Sequence, residues 1–335
     1  MKYKLIFLSA ILFAATVANA QTKTGLHVIN TFHIASTGGW DYIEVGPMND
    51  WLYVSHGTQV NILNKKTGDS VGIIENTTGI HGIAFDVANS KGYTSNGRLN
   101  NVYVFDMNTN KVLATIATGQ NPDAIMYDPF SKRIITCNGR SNNLSIIDPA
   151  QNKTIDSVAV GGKPETAVSD GAGKIFVNIE DKSEIVAIDA KTFKVLNRWS
   201  IAPGQEPTGL AYDAVTKRLF AGCDKLLIVI DATNGKIVDK LPIGEGCDGV
   251  VFDTKTKNIY TSNGEGTITV IHEESADKFM MVENIVSKKG ARTIAIDKTT
   301  GLLYLPTAEF DPKEKDQRGR PKMIPGTFQV VVVGK

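Results

Sequence analysis

Cysteine is nearly missing from this chain. Three residues in 335, Cys137, Cys223 and Cys247, exclude a disulfide-held scaffold, and an odd count in an oxidising compartment leaves room for one bridge at most. Charge of one sign is missing too. The chain has 36 basic and 35 acidic side chains, a net +1, and so no field with which to collect nucleic acid or an anionic membrane. The motifs that mark common chemistries are absent as well. No GxSxG elbow, HExxH pair, phosphate-binding loop or CxxCH haem site is found. No stretch with a helical period of useful length occurs, and beyond the N-terminus no apolar run is long enough to cross a bilayer.

The N-terminus is the exception to this plainness. Lys2 and Lys4 precede an apolar core, Leu5 to Val17, and Ala18-Asn19-Ala20 has the small-x-small form of a cleavage site. Residues 1–20 are expected to be a cleaved signal peptide. The mature chain is then expected to begin at Gln21 and to be periplasmic or secreted, without a lipid anchor because no Cys follows the site. Without Lys2 and Lys4 the charge is 34 basic against 35 acidic, or −1.

What fills the rest is a repeat. An Asp ends a short apolar run at Asp86, Asp128, Asp170, Asp213, Asp253 and Asp297. A polar residue closes a later run at Asn64, Asp106, Asp148, Asp189, Asp231 and His272. Both series advance by 40 to 44 residues. That period, with strand-like runs in each unit, predicts propeller blades of four strands. In one unit the expected strands are Ala124–Asp128, Arg133–Cys137, Leu144–Ile147 and Thr154–Val160, the last with Ile155, Val158 and Val160 facing in. Third strands such as Val102–Phe105, Ile185–Ile188 and Leu227–Ile230 are continuously apolar, as burial on both faces requires. The seventh unit lacks a fourth strand, and a spare one, Leu26 to Ile34, precedes the first. The expectation is an all-β, seven-bladed propeller over 21–335, closed by the N-terminal strand pairing into the last blade, with an insertion at 311–323.

The stretches Ile134-Ile135-Thr136-Cys137-Asn138 with Leu144-Ser145-Ile146-Ile147-Asp148, and Ile259-Tyr260-Thr261-Ser262-Asn263 with Ile268-Thr269-Val270-Ile271, give the chain a family look. With Ala291 to Asp297 and Pro325-Gly326-Thr327-Phe328 they make it resemble the YncE-like, YVTN-repeat family of exported seven-bladed propellers over essentially its mature length. The tetrapeptide itself is degenerate, as in Tyr53-Val54-Ser55-His56. The resemblance implies a fold but no single activity; single-stranded DNA binding has been associated with one branch of the family.

Blade alignment puts Asp41, Gly82, Asp123, Glu165, Thr208, Asp248 and Arg292 at the start of the inner strand, preceded by Trp40, His81, Pro122, Pro164, Pro207, Cys247 and Ala291. Trp40, Asp41, His56, His81, Asp123, Glu165, Asp248 and Arg292 are therefore the candidate ligand-binding residues of the pore mouth. Two readings fit them: a polar lining of a water-filled channel, or a site for a cation or cationic ligand relieving clustered carboxylates. His56 and His81 hold the same relative positions as Cys223 and Cys247. The cysteines are either a disulfide or two separate buried thiols. The histidines are either packed and solvated, or ligands to a shared metal with Asp41 or Asp123. Glu44, on an otherwise apolar strand, is expected to pair with Arg292. The insertion, with Lys313, Lys315, Arg318, Arg320 and Lys322, reads as a mobile loop.

These readings favour a non-catalytic binding or scaffold module of the cell envelope, taking an envelope protein or small ligand. No cofactor is expected beyond a divalent cation. A lactonase-like hydrolase with a carboxylate-bound cation in the channel is the alternative. Single-stranded nucleic-acid binding through the basic insertion, with Trp40 as a stacking platform, is the second alternative, and near-neutral charge argues against it.

Overall fold

The computed structural model describes residues 23–315, 319 and 321–335. The expected signal peptide, 1–20, lies outside them, as do Gln21 and Thr22. Seven four-stranded antiparallel sheets form the blades of a ring. The blade read above from sequence runs Pro122–Asp128, Arg133–Asn138, Asn143–Asp148 and Lys153–Ala159, within a residue or two of the expectation. Blade one begins with Trp40–Val45 and blade six with Cys247–Asp253. The seventh sheet has the order that closure demands: Ala295–Ile296, Leu303–Thr307, Gln329–Gly334 and then the N-terminal strand His27–His33.

Burial is layered around the ring. One apolar cluster lies between each pair of adjacent blades, so the core is a circle of seven seams rather than one globule. Third strands are sealed on both faces; Leu227, Ile228, Val229 and Ile230 have no exposure at all. Fourth strands face solvent.

The fourth strands carry a feature that alternation alone does not show. In every blade the register slips by one residue between strands three and four, leaving Ile29, Val71, Leu113, Ile155, Leu196, Val238 or Val282 without a partner. A bulged residue turns its side chain off the buried face. Ile155, expected inside, is therefore exposed, as are Val71, Leu113, Leu196 and Ile29. The N-terminal strand has the same slip at Ile29, so it is a true fourth strand despite coming first in the chain.

Candidate functional site

The inner strands are bulged at their first residues, and this builds the mouth. In blade one, Trp40 pairs with His56 and the next pair is Ile43 with Val54, so Asp41 and Tyr42 share one position. The same slip sets off His81 and Gly82, Asp123 and Ala124, Glu165 and Thr166, and Asp248. Register thus places His81, not Gly82, in the ring with Asp41, Asp123, Glu165 and Asp248. Bonds within the blade and from neighbouring blades lock these bulges. The Asp41 amide donates to Ser55 Oγ (3.0 Å), the Thr293 hydroxyl to Asp41 O (2.6 Å), and the Ser95 hydroxyl to Asp123 O.

At the mouth, His81 Nδ1 lies 2.5 Å from Asp41 Oδ2 and 3.5 Å from Asp123 Oδ1. Arg292 comes from the other side, with Nη2 3.4 Å from Asp41 Oδ1 and 3.3 Å from Trp40 O, and it also pairs with Asp248. Lys163 Nζ sits 2.6 Å from Glu165 Oε1 and bridges to Glu180. Ligand atoms of Asp41, His81 and Asp123 all fall within 4.8 Å of one another. They form the one such metal-compatible group among the described residues, and their donor set of one imidazole and two carboxylates suits a divalent transition metal.

Crowding separates the acid strengths. Burial opposes ionisation of Asp41, but the His81 hydrogen bond and Arg292 outweigh it and hold its carboxyl below the usual range. Burial, reinforced by Asp41, pushes Asp123 up to about 6, and burial with Asp123 pushes Glu165 up to about 8. Burial works against a charged His81, yet its bond to Asp41 and the charge of Asp123 raise its pKa. Two sequence expectations need correction, and a third reading, left open between a bridge and two thiols, is decided. His56 does not join His81. It is fully buried, stacked 3.7 Å from the Phe328 ring, with Nδ1 against Ser36 Oγ (2.5 Å) and Nε2 2.8 Å from Gly38 O. Burial pushes its pKa down to about 4, so it is a neutral core residue. Arg292 is taken by Asp41 and Asp248, leaving Glu44 inside the channel with Lys298 as the cation acting on it. Cys223 and Cys247 are free, buried thiols. Cys223 belongs to the seam between blades four and five and Cys247 to the seam between five and six. A Cβ on Gly222 would meet Cys247 Sγ, while Cys223, one residue on, points to the opposite face of the same sheet.

The insertion is structured where described. Phe310–Lys315 and Pro321–Met323 pair as a hairpin beside the mouth, not as a formless loop. No alternation of apolar and polar residues marks it, because both its faces carry charge. Together the ring and its mouth define the protein as a seven-bladed β-propeller. Among solved structures, hydrazine synthase from Kuenenia stuttgartiensis shares this fold with a TM-score of 0.71 over 86% of this chain and 95% of that one. At 15% identity the likeness is one of fold. No protein-family model and no curated protein matches the chain in sequence. No helix among the described residues is long and apolar enough to cross a membrane.

Proposed function

We propose that this chain is an exported, YncE-like propeller that works without catalysis as a binding or scaffold module of the cell envelope, holding its small ligand or partner at the pore mouth. One observation carries the reading: bulges in separate blades aim Asp41, His81, Asp123, Glu165 and Asp248 from one position of the repeat, toward the side that Arg292 also occupies. The hydroxyls nearby are spent on structure rather than poised as nucleophiles, since Ser95 and Ser262 donate to backbone carbonyls of the next blade. The Cys137 thiol is buried and its pKa pushed up. Protein isolated from its native envelope is expected to carry a species, detected by mass spectrometry, that an Asp41→Asn/Asp123→Asn variant of equal melting temperature has lost. A species held equally by both proteins, or none held by either, refutes the reading. N-terminal sequencing of the same preparation should begin at Gln21.

A second reading, a metal-dependent hydrolase, draws on the Asp41–His81–Asp123 group. These three side chains would hold a divalent cation able to polarise a substrate carbonyl, and the weakly acidic Glu165 would stand by as a proton carrier. Metal analysis of chelator-free protein separates the two readings. A stoichiometric ion, lost together with lactone hydrolysis in His81→Ala, promotes the second.

A further inference from the structure

The hairpin Phe310–Lys315/Pro321–Met323 roofs a cavity of ≈ 670 Å³ next to the mouth. Its size falls in the range of small-molecule sites, about 300–1,000 Å³. The walls are aromatic and soft. Trp40 and Phe310 stand 6.0 Å apart at 53°, and Met323 and Pro321 complete the roof. Trp40 is fixed from behind by Phe328, at 5.6 Å, which itself stacks on His56. Backbone forms much of the floor, because Gly39, Gly246 and Gly264 lie there.

The polar groups of this cavity have one sign. Among the described residues every charged side chain on its wall is a cation: Lys289, Arg292 and Lys322. Arg292 is committed to Asp41 and Asp248, and Lys322 to Glu314 at 2.6 Å. Lys289 has no ion-pair partner among the described residues. Aromatic faces favour a flat, polarisable body, and an uncommitted ammonium at the rim favours an anion.

We infer that the roofed cavity binds a small planar aromatic acid, its ring against Trp40 and Phe310 and its carboxylate at Lys289. The inference deepens the reading of the mouth as a ligand-binding face and rests on it. It is tested by calorimetric titration of the mature chain with 1-naphthoate, its uncharged carboxamide and octanoate. Gly39→Leu is the informative variant. A Cβ at Gly39 meets no atom within 4 Å and its backbone lies outside the left-handed region, so a larger side chain fits there without disturbing the ring; Gly39 also borders the mouth, whereas Phe310 and Lys289 line this cavity alone. One naphthoate is expected to bind per chain, with at least tenfold weaker binding to Gly39→Leu, Phe310→Ala and Lys289→Gln at unchanged melting temperature. The carboxamide and octanoate should bind wild type at least tenfold more weakly. No naphthoate binding, equal binding by Gly39→Leu, or equal binding of the carboxamide overturns the inference. Asp41 and Asp123 lie outside this cavity, so the two failures stay distinct. An envelope species lost from the Asp41/Asp123 variant but indifferent to Phe310→Ala and Lys289→Gln ends the aromatic-acid assignment alone. Naphthoate bound in the cavity with no species at the mouth ends the other.

Discussion

Glu44 is a carboxylate on a strand whose neighbours in the other blades are apolar, and it is placed to report on the channel. Burial pushes its acid up to about 7, with Lys298 pulling the other way. Because the folded form holds its proton more tightly than the unfolded one, between about pH 4.5 and 7 folding binds protons, and stability falls as pH climbs through that window. Glu44→Gln should therefore gain ~2 kcal/mol in urea unfolding at about pH 8.5 and almost nothing near pH 4. A gain independent of pH would mean that the acid is solvated. His56 has the reverse slope: its folded pKa is depressed to about 4, so its contribution is complete above its unfolded value of about 6.5 and fades as pH falls toward 4. The three cysteines make a second prediction. Sealed in their seams, Cys137, Cys223 and Cys247 should be inert to a thiol reagent in the native protein and should all react, without reductant, once it is unfolded. A titre of one thiol under those conditions would mean a bridge.

At the scale of the element, the third strands were legible because burial on both faces leaves a mark in composition, as in Leu227 to Ile230. The bulges were not. One extra residue in a strand shifts the alternation without changing residue type, so Ile155 reads as inward though it faces water. The same kind of slip hid the place of His81: a position set by register inside a bulge appears only when its partner strand is known. Residue types at the mouth, by contrast, were legible, since acidic and imidazole groups recur at the start of an inner strand. The hairpin is separable from the ring. None of the ring's strand pairings passes through it, so replacing 311–322 by a short Gly-Ser turn should move the melting temperature by no more than ~3 °C, in line with a surface change of about 0.5 kcal/mol. A large drop by circular dichroism would show that it braces the seventh blade.

For the whole molecule, stability depends on closure. His27–His33 covers the edge of Gln329–Gly334, and its Phe32 with the following Ile34 joins the seam between blades seven and one. A chain beginning at Gly38 should melt at least ~10 °C lower, or lose its single cooperative transition, because it bares one sheet edge and opens that seam. Equal melting would show that the ring holds without its clasp. Six blades are each built from neighbouring stretches of chain and can condense in turn as they appear. The seventh joins residues from the two extremities, the most distant pairing the molecule contains and the slowest kind to find. Until Gln329–Gly334 meets His27–His33 the ring is thus a horseshoe with two raw ends, and that one pairing supplies the rung that locks it. A product cut short before Gln329 would keep six sound blades and an unguarded border, matter for the quality-control machinery rather than a slightly weaker version of the same protein.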